Sequence, residues 1–354
     1  MNNTNTWYQR VPIGYEIIEG KRKQIRKPTY KYLDRYNHEI DDSDELQRIT
    51  KLMIPHIYHD VYINPNPNGK IQAIGTDKKN RQQYIYNKEY VLMRNEEKFC
   101  HMIEFGKILP YLVSDIDTII KQNANKINKP SKEFMIALTL KIMFLCNFRV
   151  GNSTYEKKYQ TRGMTTLSPQ NVKILTDHIL INFIGKKGVI NQCSIYQDEI
   201  YDIIGKLYND TAKNKNKYIF YYYDSNTSSD SQKRPIKSSD INLFLSKYGE
   251  FTSKNLRTWI ANYLLTEFLV QSGPCNTKKE CSKNIKNAIE YVAQRLHHTP
   301  GICRKSYIDK YIINLYLHNN NLWRDNILNN YKKRGIYDPT HNLLINLFVD
   351  SCEL

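Results

Sequence analysis

The segment PSKEFMIALTLKIMFLCNFRVGN, residues 130–152, decides how the central part of this chain folds. Ser131 stands before a run of mostly apolar residues that continues to Phe144, and serine is a favoured residue at the start of a helix. We therefore predict a buried helix that begins just after Ser131. The run ends in polar residues, Asn147 to Asn152, and this polar end is where we first expect functional residues.

The residues before this segment predict a small β-rich region. Short runs of β-branched and aromatic residues lie between turns rich in Pro, Gly and Asn, and they predict strands at Val61–Ile63, Lys70–Gly75 and Gln82–Tyr86. The last two would form a curled antiparallel sheet with a basic hairpin loop at residues 76–81. After Lys98 apolar residues recur at helical spacing, and we expect that helix to end near Pro110.

The residues after this segment predict a mainly helical region with one small sheet. Strands at Val172–Leu175, Ile179–Ile184 and Val189–Ile195 are expected, with Gly185-Lys186-Lys187-Gly188 at a hairpin tip. Ser225–Ser231 predicts a mobile loop. Helical patterns occur at Ile200–Tyr208, Asp240–Tyr248, Leu256–Leu269, Ile285–His297, Tyr307–Leu317 and Leu343–Val349. The fold class is therefore α+β, with a small β-rich N-terminal domain at 1–97 and a larger, mainly α domain at 98–354.

The charge balance points to a polyanionic partner. The 354 residues, enough for about two domains, include 52 Lys and Arg against 35 Asp and Glu, a net charge of +17. An excess of this size argues against an acidic soluble metabolic enzyme and favours a partner with many negative charges. Hydrophobic residues make up 40 % of the chain, which is enough for real cores and argues against global disorder.

Several other classes of protein are disfavoured. The seven cysteines are an odd number without a CxxC pair, which favours a reducing compartment over a disulfide framework or a zinc site. His56, His59 and Asp60 lack a further ligand at useful spacing, so we expect no metal. No apolar run reaches 18 residues and the first residues are polar, so we expect neither a transmembrane helix nor a signal peptide.

Four segments place a cation or a phenol near a predicted helix end or hairpin tip. They are Arg149-Val150-Gly151-Asn152, Gly185-Lys186-Lys187-Gly188, Lys254-Asn255-Leu256-Arg257-Thr258-Trp259, and His298-Thr299-Pro300 with Tyr307 nine residues after the histidine. Each segment alone has an ordinary structural explanation. An arginine at a helix end caps carbonyls, a hairpin lysine is solvated, and Arg257 pairs with a carboxylate. His298 would end a helix before Pro300, and Tyr307 would pack in a helical core.

Taken together, these residue types suit one particular reaction. Two arginines, a lysine, a histidine and a tyrosine, without a carboxylate pair, fit attack of a tyrosine oxygen on a phosphodiester. Arginines and an imidazole that is protonated or donates a hydrogen bond would stabilise the charge on the non-bridging oxygens without a metal. A lysine on a mobile hairpin would protonate the leaving oxygen.

The order of these motifs resembles the type IB DNA topoisomerases, in the compact form found in bacteria, poxviruses and other large DNA viruses. The resemblance runs from about residue 55 to residue 315. It rests on residues 60–63, 69–77 and 81–86 in the N-terminal part, and on the four segments together with Met164-Thr165-Thr166-Leu167 and Phe183-Ile184.

The resemblance implies a role for each residue of the site. Tyr307 would be the nucleophile, Arg149 and Arg257 would stabilise the phosphate, and His298 would donate to a non-bridging oxygen. Lys186 would be the general acid for the 5′-oxygen. Lys187 follows it where relatives usually carry a non-basic residue, so either ammonium is a candidate, although the match favours Lys186. Asn255 and Leu256 replace the more usual acidic and aromatic pair of the bacterial forms, a change expected to be mild.

The resemblance also implies a C-shaped clamp around double-stranded DNA, with a catalytic domain similar to that of the tyrosine recombinases. Such an enzyme would act as a monomer and relax supercoils through a 3′-phosphotyrosyl intermediate, swivelling and religation. It needs no cofactor, and the chain has neither a GxxxxGK[ST] nor a GxGxxG motif for a nucleotide. The expected DNA-binding residues are Tyr155, which matches a phosphate-contacting tyrosine of viral members, with Lys254, Lys79, Arg81, Gln83, Tyr84 and Tyr86.

Two alternatives remain open from the sequence. A site-specific tyrosine recombinase, or integrase, uses the same chemistry, but such enzymes usually carry histidine where this chain has Lys254, and no helical core-binding domain is evident. A non-catalytic basic chromatin or packaging protein is the other alternative, although all five catalytic residue types are present. The expected location is the cytoplasm, either bacterial cytosol or the factory or virion of a large DNA virus.

Overall fold

The chain folds into two compact units, Met1–Lys98 and Phe99–Leu354, with mixed α/β structure. The computed structural model describes residues 4–20, 23–213, 217–224, 233–318, 323, 325 and 339–353. The loop predicted at Ser225–Ser231 lies outside these residues.

The first unit is built on a five-stranded antiparallel sheet with the strand order β2-β1-β3-β4-β5. Its strands are β1 (Tyr8–Gly20), β2 (Lys23–Leu33), β3 (His59–Ile63), β4 (Ile71–Thr76) and β5 (Gln82–Tyr86). Helix α1, Ser43–Lys51, lies between β2 and β3 in the chain and begins at Asp42, whose carboxylate accepts two backbone N–H groups. A small core of Ile49, Val61, Ile63 and Ala73 holds the helix against the sheet. The three predicted strands are confirmed.

The helix predicted to end near Pro110 continues through it, which corrects the sequence prediction. This helix, α2, spans Lys88–Asn123. Proline has no N–H, so the carbonyl of Gly106, four residues earlier, loses its helical partner. Nε2 of the buried His341 lies 3.0 Å from that carbonyl oxygen and supplies the missing hydrogen bond. A partner far away in the sequence therefore makes the proline tolerable.

The second unit surrounds the predicted buried helix, α3, which spans Lys132–Cys146. Ser131 caps it as predicted, because its hydroxyl accepts the N–H of Phe134 at 3.2 Å. The other helices are α4 (Ser153–Tyr159), α5 (Asp198–Lys213), α6 (Ser238–Leu245), α7 (Ser253–Ser272), α8 (Lys278–Arg295), α9 (Pro300–Ser306), α10 (Lys310–His318) and α11 (Pro339–Cys352).

Two small antiparallel sheets complete the second unit. The first joins β6 (Val172–Ile174), β7 (Ile179–Ile184) and β8 (Ile190–Ile195), and the second pairs β9 (Tyr221–Tyr223) with β10 (Lys233–Pro235). The predicted hairpin is confirmed: β7 and β8 pair in register from Ile179 with Ile195 to Ile184 with Ile190. The hairpin tip therefore projects the glycine-flanked lysines at one end of a short sheet.

Six of the seven cysteines are paired, so the prediction of a chain without disulfides is wrong. Disulfides join Cys100 to Cys352, Cys146 to Cys193 and Cys275 to Cys281, with Cα–Cα distances of 5.7, 5.6 and 5.2 Å. Cys303 is free and buried. The partners in the first two pairs are 252 and 47 residues apart, so local spacing does not reveal them.

No helix in the described part of the chain combines the length and the apolar character that a bilayer crossing requires.

Candidate active site

Helix α7 delivers a buried arginine to the centre of the second unit. Arg257 is only 5 % exposed and lies in the second turn of the helix. Its guanidinium donates to the backbone carbonyls of Asn147 at 2.5 Å and Leu296 at 2.7 Å, while its Nε has no partner. The sequence left open a pairing of Arg257 with a carboxylate, but these bonds go to neutral carbonyls. The positive charge is therefore held between the ends of α3 and α8 without being neutralised.

A close approach of two backbones fixes the turn that carries Arg149. Gly151 has φ of 86°, and a Cβ there would lie 2.9 Å from the backbone of Gly163. In the other direction, a Cβ on Gly163 would lie 2.5 Å from Gly151, so neither position admits a side chain. Arg149 Nη1 donates to the carbonyl of His297 at 3.3 Å. The structure thus brings this arginine to the same loop that Arg257 contacts.

Tyr307 lies in a turn, which corrects the prediction of a helix over Tyr307–Leu317. Helix α9 ends at Ser306 and α10 begins at Lys310, and Tyr307 is the capping residue of α9 with φ of −122°. Its side chain is half-buried. A residue at a helix end presents its side chain to a cleft more readily than one on a buried helix face.

Asn262, a buried residue on α7, holds this turn in place. Its Nδ2 donates to the carbonyl of Tyr307 at 2.8 Å, and its Oδ1 accepts the N–H of Asp309 at 2.8 Å. One helix therefore carries both Arg257 and the support for the Tyr307 backbone. Sequence motifs missed Asn262, although an asparagine in an apolar helical stretch signals a buried polar group that needs partners.

The aromatic rings of His298 and Tyr307 lie face to face. Their centroids are 5.1 Å apart with an angle of 6° between the planes. The guanidinium carbon of Arg257 is 5.6 Å from the centre of the Tyr307 ring. His298 is 9 % exposed, and neither of its ring nitrogens has a hydrogen-bond partner. Four of the five predicted catalytic residues are thus brought together: Arg149, Arg257, His298 and Tyr307.

The pKa values of this cluster follow from burial and from the two positive charges. Burial, followed by the charge of Arg149, lowers the pKa of Arg257 to about 10, so it remains protonated at neutral pH. Burial and then the charges of Arg257 and Arg149 lower the pKa of His298 to about 4, so its imidazole is neutral. Burial raises the pKa of Tyr307, but the charges of Arg257 and Arg149 outweigh it and leave the pKa below 10.0. The arrangement favours an anionic phenolate and an anionic ligand.

Lys186 lies apart from this cluster, at the exposed tip of the β7–β8 hairpin. No hydrogen bond or ion pair joins it, or Lys187, to any described residue. Lys187 has φ of 64° and Gly188 has φ of 76°, and these left-handed residues turn the chain back into β8. Both lysines are available to a ligand, and the structure does not bring either to Tyr307.

Tyr155 projects from the short helix α4 and is 54 % exposed. The next residue, Glu156, is buried and anchors the helix. It accepts a hydrogen bond from the Tyr218 hydroxyl at 2.5 Å and pairs with Lys217 at 3.2 Å and Arg162 at 3.6 Å. Lys254, the other predicted DNA-binding residue of this unit, is exposed in the first turn of α7.

In the first unit, Asp77 organises the hairpin between β4 and β5. Its carboxylate accepts hydrogen bonds from Arg81 at 2.6 and 2.8 Å and from Gln83 at 3.0 Å, and it also accepts the backbone N–H of Lys79. The Arg81 hydrogen bond holds the pKa of Asp77 down, to about 2. The Nε and Nη2 groups of Arg81 and the amide of Gln83 therefore donate within the hairpin, and Arg81 Nη1 has no such bond to Asp77, whereas the Lys79 side chain is exposed at the tip.

The aromatic residues of β5 form an exposed row. Tyr84 and Tyr86 are each 41 % exposed and stack with centroids 6.2 Å apart, and Tyr90 at the start of α2 continues the row at 5.9 Å from Tyr86. Exposed rings at this spacing are suited to contact with sugars and bases.

A metal centre is not evident in what the structure describes. Within that part of the chain, no group of three or more His, Cys, Asp or Glu side chains is arranged to hold an ion.

Comparisons with known proteins identify the family of this chain. A sequence model of the eukaryotic DNA topoisomerase I catalytic core matches residues 82–325, and a model of the bacterial DNA topoisomerase IB N-terminal domain matches residues 29–77. DNA topoisomerase 1B of Acanthamoeba polyphaga mimivirus is 32 % identical over 86 % of this chain and 89 % of its own length. DNA topoisomerase 1B of vaccinia virus (strain Copenhagen) is 26 % identical over 68 % of this chain and 71 % of its own. The chain therefore belongs to the type IB DNA topoisomerases, a family of isomerases that bind and relax DNA.

Proposed function

We propose that this enzyme relaxes supercoiled duplex DNA by cutting and resealing one strand, with Tyr307 as the nucleophile. The observation that carries the proposal is the position of the Tyr307 phenol, stacked on His298 and beside the buried charge of Arg257. Positive charge beside a phenol lowers the free energy of the phenolate that must form during attack. The same charge stabilises the phosphorus centre that the phenolate attacks.

In the cleavage step, Tyr307 Oη forms a bond to phosphorus and the bond from phosphorus to the 5′-oxygen breaks. The phenol gives its proton to water, and the 5′-oxygen takes one from the ammonium of Lys186, which becomes a neutral amine. The product is a 3′-phosphotyrosyl linkage and a free 5′-hydroxyl. The linkage keeps the free energy of the broken diester, so the hydroxyl can reseal the strand without ATP or a metal.

Arg149 and Arg257 bind the non-bridging oxygens of the phosphate. Arg257 has a buried Nε without a partner, so it has a donor to offer. His298 donates a hydrogen bond to the phosphate; before DNA enters, burial and the neighbouring arginines hold its pKa near 4 and its ring is neutral. Its nitrogens are buried in the stacked arrangement, and we expect the phenol ring to leave the stack as the phosphate enters.

Lys186 reaches the leaving oxygen only once DNA is bound. Its side chain is exposed and makes no hydrogen bond or ion pair with any described residue, so the approach of DNA phosphates can draw the ammonium inward without breaking one. A protonated lysine is the form that a general acid needs.

The two units close around the duplex as a C-shaped clamp, and a recombinase-like catalytic domain holds the strand that is cut. Tyr155 and Lys254 contact the DNA backbone from the second unit, and Tyr84, Tyr86, Lys79, Arg81 and Gln83 contribute from the first. The enzyme acts as a monomer without nucleotide cofactor. It works in the cytoplasm of a bacterium or in the factory or virion of a large DNA virus, in keeping with the viral relatives.

Supercoiled plasmid incubated with the enzyme in EDTA, without nucleotide, tests this proposal. Wild-type protein should relax the plasmid, and Tyr307→Phe should bind it without relaxing it. Plasmids without paired recombination sites should be relaxed as well. Relaxation that needs Mg²⁺, or that survives in Tyr307→Phe, would overturn the proposed mechanism.

A further inference from the structure

His297 stands in a backbone conformation that normally favours glycine. Its φ is 51°. The N–H of His297 bonds to the carbonyl of Gln294 at 3.1 Å, and the N–H of His298 bonds to that of Ala293 at 3.0 Å. This pair of bonds defines a Schellman turn at the end of α8, in which the left-handed residue is usually glycine. A histidine there carries a conformational cost that glycine would avoid, and its ring has specific partners.

The ring of His297 contacts the end of α3. Its Nε2 lies 3.2 Å from the carbonyl oxygen of Cys146, the last residue of that helix. Carbonyls in the last turn of a helix lack intrahelical partners, so this bond satisfies one of them. The ring also packs against Phe148, with centroids 5.2 Å apart. Both contacts lie just before Arg149 in the sequence.

The backbone of the same turn contacts both catalytic arginines. The carbonyl of His297 accepts a hydrogen bond from Arg149 Nη1, and the carbonyl of Leu296 accepts one from Arg257. The next residue is His298, whose ring stacks on Tyr307. The turn at the end of α8 therefore bonds to both arginines of the cluster and carries the histidine that stacks on Tyr307.

We propose that His297 is a positioning residue, whose ring fastens the α8 turn to the end of α3 and so holds Arg149 in register with His298 and Tyr307. This inference rests on the roles proposed above for those three residues. Burial and then the charges of Arg257 and Arg149 lower the pKa of His297, which keeps the ring neutral and leaves it one N–H to donate. Among the described residues, His298 stacks on the phenol, and the buried Cys303 thiol interacts electrostatically with Arg257.

Three substitutions of His297 separate the ring contact from the backbone shape. His297→Gln places an amide N–H near the position of Nε2. His297→Asn is the matched control, because its shorter amide falls short of the Cys146 carbonyl. His297→Gly removes the ring and the conformational cost together. The chain already holds Gln160 at φ of 53° and Asn147 at φ of 55°, so both amides are compatible with this backbone.

Single-turnover cleavage of a duplex oligonucleotide gives the main readout, measured across pH with DNA below saturation. We expect His297→Gln to cleave near the wild-type rate, and the Asn and Gly variants to be slower by about tenfold, which is less than the roughly 10²–10³-fold cost of removing a charge-stabilising donor outright. The acid limb of the pH–rate profile of these two variants should shift to higher pH, because a displaced Arg149 lowers the pKa of Tyr307 less. Affinity for uncleaved DNA, measured with Tyr307→Phe also present, should not change.

Each outcome bears on one proposal. A wild-type rate and pH profile in His297→Gly, or a Gln variant as slow as the Asn variant, would overturn the positioning role alone. Failure of wild-type protein to form a covalent adduct would instead overturn the proposed function. If the glycine variant does not fold, as thermal unfolding would show, the comparison of Gln with Asn still decides the question.

Discussion

Replacement of Asn262 by alanine tests whether α7 positions the nucleophile. The side chain is fully buried and makes three hydrogen bonds of 2.8 Å: it donates to the carbonyls of Tyr307 and Thr258, and it accepts the N–H of Asp309. Alanine removes all three, and the carbonyl of Tyr307 and the N–H of Asp309 each lose the partner that Asn262 supplied. Each unsatisfied group costs about 1–3 kcal/mol, so the free energy of unfolding should fall by roughly 2–6 kcal/mol.

Urea unfolding measures the loss of stability, and single-turnover cleavage measures the effect on Tyr307. We expect cleavage to slow while DNA binding is unchanged, because the phenol is no longer held against Arg257. Asn284→Ala is the matched control, since Asn284 makes a single bond of 2.9 Å to the Tyr316 hydroxyl, away from the site. It should lose less stability and cleave at the wild-type rate. Wild-type cleavage by Asn262→Ala, with or without a loss of stability, would refute the reasoning.

Three further predictions concern acid stability, disulfides and the general acid. The pKa of His298 is about 4 in the folded protein against 6.5 for the free side chain, so the unfolded chain binds more protons between these values and stability should fall as pH drops from 6.5 to 4. His298→Asn should flatten this slope by up to ~3 kcal/mol in urea titrations, and an unchanged slope would contradict the buried neutral imidazole. The disulfide between Cys146 and Cys193 closes a loop of 47 residues in the unfolded chain, so its loss in the double serine variant should lower the free energy of unfolding by about 4 kcal/mol. Equal urea midpoints for the wild-type protein and this variant would show that the bond does not form. Lys186→Ala should cleave slowly on normal DNA and recover on a 5′-phosphorothiolate, whose leaving group needs no proton; the same recovery in Lys187→Ala alone would move the role to that residue.

The local parts of the fold are readable from the sequence, because their signals lie in neighbouring residues. Ser131 and the apolar run after it define α3, and the glycines around Lys186 and Lys187 define the hairpin tip. The continuation of α2 past Pro110 is not readable, because the compensating partner is His341, more than two hundred residues away. The disulfides Cys100–Cys352 and Cys146–Cys193 are hidden for the same reason.

The candidate site likewise has residues that the sequence predicts and residues that it does not. Motif order selects Arg149, Arg257, His298 and Tyr307, and the structure brings these four together. Motif order does not select the residues that support this cluster, because their roles depend on tertiary contacts. Asn262 acts through backbone groups 45 and 47 residues away. Tyr307 itself falls in a turn although its apolar neighbours have helical spacing, because α9 ends one residue before it.

The most direct test of the account is the identity of the covalent linkage. The enzyme is allowed to react with duplex DNA, quenched with detergent and digested with protease and nuclease, and the adduct is located by mass spectrometry. The account predicts a nucleotide joined through its 3′-phosphate to the peptide that contains Tyr307. A 5′ linkage, or an adduct on any other residue, would contradict it.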